Sequence, residues 1–272
     1  MPTFDSPIDQ LNVELRDGVA LLTLNRPEAR NALSPDLTGA LRKAIAWARD
    51  DSDVGCVLIT GAGSAFCSGG DVKAMGAKQK SAKPLSFEDQ YQEMRGRHHE
   101  IAGELTAMRK PSIAVLPGPA AGAGMSIALA CDMRFAAENS FLSTAYARIG
   151  VSGDYGMAWL LTRVVGPARA RQLLLTSERV PAQRAYDIGL VNEVVADDQL
   201  QSTAFEMAAQ LAAGPQVAYA YIKDNLDDAL EIDHATAIDR EVDRFLKTRS
   251  TSDHKEAVKA FAEKRPPVFH GR

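Results

Sequence analysis

The sequence predicts an α/β protein that ends in an all-helical region. Short apolar runs of strand type at 54–60, 112–116 and 132–136 alternate with helical stretches. Beyond about residue 200 the strand signal fades and only helical spacing remains. Strands and helices that alternate along a chain pack as helices layered on a largely parallel sheet.

The elements follow in order. Leu11-Asn12-Val13-Glu14-Leu15 alternates apolar and polar residues, as a half-buried strand does. Arg16-Asp17-Gly18 turns the chain back into a second strand, Val19 to Leu24, so the opening is a β-hairpin. Ser34-Pro35-Asp36 starts a helix, with Ser as N-cap, Pro at the first helical position and Asp in the first turn. Leu37, Leu41, Ala44, Ile45 and Ala48 then share one face of it. The run from Val54 to Thr60 is a short buried strand closed by Gly61-Ala62-Gly63. Lys78 to Lys83, between Gly76 and Pro84, is polar and lacks periodicity, so a mobile surface loop is expected there. Ser112 to Leu116 and Asp132 to Ala136 supply further strands, with an apolar helix ending near Cys131 between them. Segments 203–213, 217–230 and 235–247 repeat Ala, Leu, Ile and Tyr at helical spacing. The expected division is an α/β core over 1–200 and a helical region over 201–272.

A chain of 272 residues buries enough surface to fold without disulfides or a structural metal. Cys56, Cys67 and Cys131 are oddly spaced, which suits reduced thiols in a cytoplasm. His98, His99, His234, His254 and His270 lack a Cys or Glu partner at ligand spacing, so no metal is expected. With 35 acidic against 31 basic residues the net charge is −4, which argues against a general grip on nucleic acid. The apolar and Gly-rich stretch from Ala120 to Cys131 is too short to span a bilayer. Residues 1–5 show no basic start leading into an apolar stretch, so a cytoplasmic protein is expected.

Two glycine-rich segments, Gly61 to Asp71 and Gly118 to Ser126, each follow an expected strand. Glycines let backbone N–H groups converge on one ligand atom, and a helix N-terminus adds unpaired donors. Two such loops brought together could hold a developing oxyanion. The same glycines would equally permit tight turns and close helix–strand packing. Neither loop ends as a phosphate-binding P-loop, and both lack the third glycine of a dinucleotide fingerprint. Gly150-Val-Ser152-Gly-Asp154 misses the serine-hydrolase elbow because Asp154 occupies its last glycine position.

Leu24-Asn25-Arg26-Pro27-Glu28-Ala29-Arg30-Asn31-Ala32-Leu33 resembles a signature of the crotonase (enoyl-CoA hydratase/isomerase) superfamily. Ala65-Phe66-Cys67-Ser68-Gly69-Gly70-Asp71 resembles its first oxyanion loop, Gly118 to Asp132 its second, and Glu256 to Pro266 its C-terminal stretch. The resemblance implies a spiral of repeated ββα units with a helical C-terminal region used for homotrimer or homohexamer contacts. It implies an acyl-CoA thioester as substrate, so coenzyme A enters as part of the substrate and no separate cofactor is needed. The thioester oxygen would accept from the N–H groups of Cys67 and Ala123. Arg26, Ala29, Arg30, Ala65, Ser68, Gly69, Gly70 and Gly122 would line the acyl-CoA site. Phe261 and Lys264 would reach a CoA site from the tail. Asp71 is expected to cap a helix beginning near Val72.

The two glutamates of a typical hydratase are replaced. Alignment on the second glycine loop puts Ser126 at the first position, and alignment on Gly150 puts Tyr146 at the second. Neither is a carboxylate, and a tyrosine of ordinary pKa is a poor base at neutral pH. Asp154 is the nearest replacement acid/base, with Tyr146 as a pocket wall or hydrogen-bond donor. The competing role for Asp154 is to cap a helix beginning near Tyr155. His99 is a candidate partner for Asp154. The expected function is an enoyl-CoA hydratase or isomerase. Alternatives are another CoA-ester enzyme, of dehalogenase or thioester hydrolase type, or a non-catalytic acyl-CoA-binding protein.

Overall fold

The computed structural model describes residue 4 and residues 6–71 and 85–271. Strands β1 (Leu11–Arg16) and β2 (Val19–Leu24) pair antiparallel, with Leu11 opposite Leu24. Asp17 and Gly18 join them, both with positive φ as a type I′ hairpin turn requires. Helix α1 (Pro35–Asp50) follows, and Ser34 caps it by accepting the Leu37 N–H at 3.0 Å. Strand β3 (Cys56–Gly61) then lies parallel to β2. Helix α2 (Phe87–His98) continues through a π-type turn at His99–Gly103 and ends at Ala107.

Next come β4 (Ser112–Leu116), β5 (Ala120–Ala121), helix α3 (Ala123–Ala130), β6 (Met133–Ala137) and β7 (Phe141–Ser143). Helix α4 (Met157–Thr176) breaks its geometry at Gly166, just before Pro167. Strand β8 (Val180–Pro181), helix α5 (Ala182–Asp187) and β9 (Glu193–Val195) complete the strand-bearing part. The main sheet runs β1-β2-β3-β4-β6-β9, parallel beyond the hairpin, and β5-β7-β8 form a small second sheet.

Period-two alternation sorts the sheet residues onto two covered faces. Cys56, Leu58, Ile113, Val115 and Phe135 pack beneath helix α6 (Leu200–Ala212), through its Leu200, Ala204 and Ala208. Val57, Ile59, Ala114 and Leu116 face α1 and α3, and Leu37, Leu41, Ala44, Ile45 and Ala48 are all buried there. Burial on both faces explains why β3 and β4 read as unbroken apolar runs.

Helices α7 (Gln216–Asp228), α8 (His234–Arg249) and α9 (Ser252–Glu263) finish the chain. Helix α6 starts at Leu200, and its buried residues pack on the sheet as part of the same core. The small second sheet and β9 were not legible, since strands of two or three residues carry too little pattern. Residues 78–83 lie outside the described residues, as does the helix expected near Val72. Among the described residues, no helix is long and apolar enough to cross a membrane.

Candidate active site

The first glycine-rich loop leaves β3 and is fastened by a side chain the sequence did not mark. Asn31 is fully buried with φ +55°. Its Nδ2 donates to the carbonyls of Ala62 (3.0 Å) and Ala65 (2.8 Å), while its Oδ1 accepts the Arg26 N–H (2.8 Å). One amide therefore ties the 24–33 segment to the loop. The loop then meets the second glycine segment edge to edge: the Ala121 N–H donates to the Cys67 carbonyl at 2.9 Å. Gly124, in the first turn of α3, sits so close to Cys67 that an added Cβ would lie 2.3 Å from the Cys67 carbonyl oxygen. A Cβ at Gly69 would lie 2.8 Å from the Ala121 oxygen and 3.4 Å from the Ala123 nitrogen. The glycines thus serve close packing, and that packing brings the loop to the N-terminus of α3.

Backbone pairing decides which donors are available. The Cys67 N–H points at the Pro119 carbonyl at 3.2 Å, an acceptor it shares with the Phe66 N–H at 3.1 Å. The expected Cys67 donor is therefore spent inside the protein. Further along, the Gly70 N–H meets no acceptor among the described residues. The Ala123 N–H is likewise unpaired, being the first of α3, where the orphan donors of a helix cluster. The Cys67 thiol is fully buried, and burial pushes its pKa up to about 12, so it is no nucleophile.

Ser126, Tyr146 and Asp154 come together behind the α3 N-terminus. The Tyr146 hydroxyl donates to Asp154 Oδ1 at 2.5 Å and lies 3.1 Å from Ser126 Oγ. A Cβ on Gly122 would be 3.9 Å from Tyr146 Cε1, so the ring adjoins the second loop. Gly153, Tyr155 and Gly156 all have positive φ, a sharp turn that directs the Asp154 carboxylate inward. Helix α4 begins only at Met157, whose N–H donates to the Asp154 backbone carbonyl at 3.0 Å. The Asp154 side chain is not its cap, contrary to the competing sequence reading. Burial raises the Asp154 pKa above the ordinary carboxylate value, and the Tyr146 hydrogen bond and the Arg97 charge offset part of that rise.

The other expected residues are dispersed. Arg26 turns inward: its guanidinium meets Asp71 at 3.1 Å and donates to the Ala32 carbonyl at 2.5 Å. The Asp71 carboxylate is engaged there, and the helix it was expected to cap falls outside the described residues. Ala29 and Ser68 are half-buried beside each other, with the Ser68 hydroxyl 3.4 Å from the Ala29 carbonyl, and Arg30 is exposed. Ala65, Gly69 and Gly122 are buried, the last donating its N–H to Ser143 at 3.0 Å. Phe261 (88% exposed) and Lys264 lie on the outer side of α9 and at its end.

Of the two adjacent histidines, His98 rather than His99 packs beside the Asp154 loop. Its ring lies 4.0 Å from that of Tyr155, centroid to centroid. Both histidines line a cleft of about 580 Å³ whose other walls include Ala102, Tyr155, Trp159 and Leu160. Burial, with help from the Arg97 charge, lowers the His98 pKa to about 4. The unfolded imidazole binds a proton below about pH 6.5 that the folded one refuses. This contribution is therefore intact above pH 6.5 and is lost as the pH falls toward 4. Allowing for solvent screening of a half-buried ring, the expected loss is about 1–2 kcal/mol. Melting curves of wild type and His98→Phe between pH 7 and 4 check this. The wild type should lose more stability than the variant, and equal losses would contradict the assignment.

This sheet and its two interlocked loops define a crotonase-type fold, and comparison with known proteins agrees. A family model described as enoyl-CoA hydratase/isomerase matches residues 14–272. The chain is 33% identical over 258 residues to the 1,2-epoxyphenylacetyl-CoA isomerase of Escherichia coli, covering 94% of this chain and 96% of the relative. It is 33% identical over 264 residues to the short-chain-enoyl-CoA hydratase of Clostridium acetobutylicum, covering 95% and 96%. The crystal structure of an enoyl-CoA hydratase from Polaromonas sp. JS666 superposes with a TM-score of 0.88 at 35% identity, over 96% of this chain and 99% of that one. The chain belongs to the enoyl-CoA hydratase/isomerase family, within the crotonase superfamily. It is an enzyme of enoyl-CoA hydratase/isomerase type.

Proposed function

We propose that the chain isomerises the double bond of an enoyl-CoA thioester, with Asp154 carrying the proton between carbons. The observation that supports this most directly is the meeting of Ser126, Tyr146 and Asp154 in one network, buried at Ser126 and Tyr146 and half-buried at its carboxylate, Asp154. Hydration in the family pattern divides the work between two glutamates, and here both positions hold hydroxyls. Isomerisation needs one group that takes a proton from one carbon and delivers it to another. The C2–H pair of a 3-enoyl thioester collapses into an enolate as Asp154 takes the proton. The enolate then reprotonates at C4 as its electrons return, giving the 2-enoyl product.

The developing charge on the thioester oxygen would be met by the N–H groups of Gly70 and Ala123. Gly70 takes the place first assigned to Cys67, whose N–H is occupied by Pro119. Each well-placed donor is worth about 3–4 kcal/mol in such a transition state. The CoA arm would run along Ala29, Arg30 and Ser68, with exposed Arg30 facing its phosphates and Arg26 acting as a structural clamp. Phe261 and Lys264 would touch CoA only across a subunit boundary. Exposed Ile222, Leu226, Phe245, Leu246 and Val258 on α7–α9 support a homotrimer or homohexamer. The three buried thiols suit a cytoplasmic setting.

The test is product analysis of the wild-type enzyme on 2-enoyl- and 3-enoyl-CoA substrates of several chain lengths. Interconversion of the two, well above any 3-hydroxyacyl-CoA formed, is the expected result. Hydration faster than isomerisation would overturn the reading.

A further inference from the structure

We propose that Tyr146, backed by Ser126, is a positioning residue that holds Oδ1 of Asp154 and leaves Oδ2 as the only oxygen that carries the proton. The inference rests on Asp154 being the acid/base of the proposed reaction. It concerns what replaced the two family glutamates, and it follows from the direction of the hydrogen bonds.

An ionised carboxylate only accepts, so the Tyr146 O–H must donate its single proton to Asp154 Oδ1, 2.5 Å away. The tyrosine oxygen is then free to accept, and Ser126 Oγ lies 3.1 Å from it. Ser126 has two other acceptors within reach, the carbonyls of Asp154 at 3.3 Å and Gly122 at 3.5 Å. Both are longer, and both carbonyls already have a backbone donor, Met157 and Ser126 respectively. The arrangement that satisfies every group is a one-way chain from Ser126 to Tyr146 to Asp154. Ser126 is fully buried and Tyr146 is 6% exposed, so water does not compete for these bonds.

Oδ2 meets no donor among the described residues. When Asp154 gains a proton, Oδ1 can keep accepting from Tyr146 as the carbonyl oxygen while Oδ2 becomes the O–H. The chain need not reorganise between the two states. The proton is therefore taken up and released by one fixed oxygen, on one face of the substrate. Without the Tyr146 hydroxyl, either oxygen could carry the proton and the carboxylate could rotate. The ring of Tyr146 also underlies Gly153, whose added Cβ would sit 3.9 Å from Cδ2 and Cε2. Tyr146→Phe keeps that support and removes only the hydroxyl.

The experiment compares wild type, Tyr146→Phe, Ser126→Ala and Asp154→Asn on a 3-enoyl-CoA deuterated at C2. Two quantities are read: the pH dependence of kcat/KM, and the fraction of deuterium delivered to C4. The Tyr146 hydrogen bond holds the Asp154 pKa down, so its loss should move the acid limb to higher pH. Deuterium delivery should fall at least twofold in Tyr146→Phe, with a smaller change of the same sign in Ser126→Ala. An unchanged limb together with unchanged delivery would overturn the proposal. A variant that only melts lower, with both readouts at wild-type values, would assign Tyr146 a purely structural role and overturn it too. If wild-type deuterium exchanges fully with solvent, the pH limb alone decides. Asp154→Asn separates the two levels of inference: activity surviving that substitution refutes the acid/base assignment itself, whatever Tyr146→Phe does.

Discussion

Asp154→Asn is expected to lower isomerase turnover at least a hundredfold while acyl-CoA binding persists. The amide is isosteric, so the turn at Gly153 to Gly156 and the contact with Tyr146 can be kept. What disappears is a group able to take a proton, worth about 10²–10⁴-fold when well placed. In the wild type the acid limb of the rate should lie above the usual carboxylate range, because burial disfavours the charged form of Asp154. Activity therefore falls as pH drops through that raised pKa, since the base is progressively protonated. Turnover with intact binding in the variant, measured by steady-state kinetics and calorimetric titration, decides the point. Turnover within tenfold of wild type would send the search to groups packed beside the Asp154 loop, beginning with His98.

Asn31→Ala should have the largest effect on stability. It removes three hydrogen bonds at a fully buried site and leaves the Ala62 and Ala65 carbonyls and the Arg26 N–H without their side-chain partner. Each buried polar group left unsatisfied costs about 1–3 kcal/mol, so a loss of about 3–5 kcal/mol is expected. Alanine also tolerates the φ of +55° less well than asparagine, whose short polar side chain favours that region. For a chain of this size the melting temperature should drop by about 10 °C. Catalysis should weaken as well, because Asn31 fastens the loop that carries Gly70 toward Ala123. A variant melting within about 2 °C of wild type, with unchanged kcat, would show that the loop holds itself.

Much of the fold was legible because its signals are local. The hairpin announced itself through Asp17-Gly18, α1 through Ser34-Pro35, and the parallel strands through apolar runs that overlap Cys56–Gly61 and coincide with Ser112–Leu116. The tail helices appeared within a few residues of their expected bounds. The β5-β7-β8 sheet did not, because its strands are set by contacts between distant segments rather than by their own two or three residues.

At the site, the sequence by itself determined the family and the two glycine loops, and it set the expectation of Ser126 and Tyr146 at the glutamate positions and of Asp154 as the acid/base. These depend on which residues are present and in what order. Only the tertiary structure decided which groups are free to act. Cys67 was the expected donor, but the Pro119 carbonyl, far along the chain, already takes its N–H, whereas Gly70 and Ala123 keep theirs. Arg26 has a charge suited to phosphate, but Asp71 claims it. Tyr146 reads in the sequence as a pocket wall or a hydrogen-bond donor, and folding points its hydroxyl at the carboxylate. A backbone N–H or a side-chain charge is available only if nothing nearer satisfies it, and the neighbour that does so is set by folding rather than by spacing.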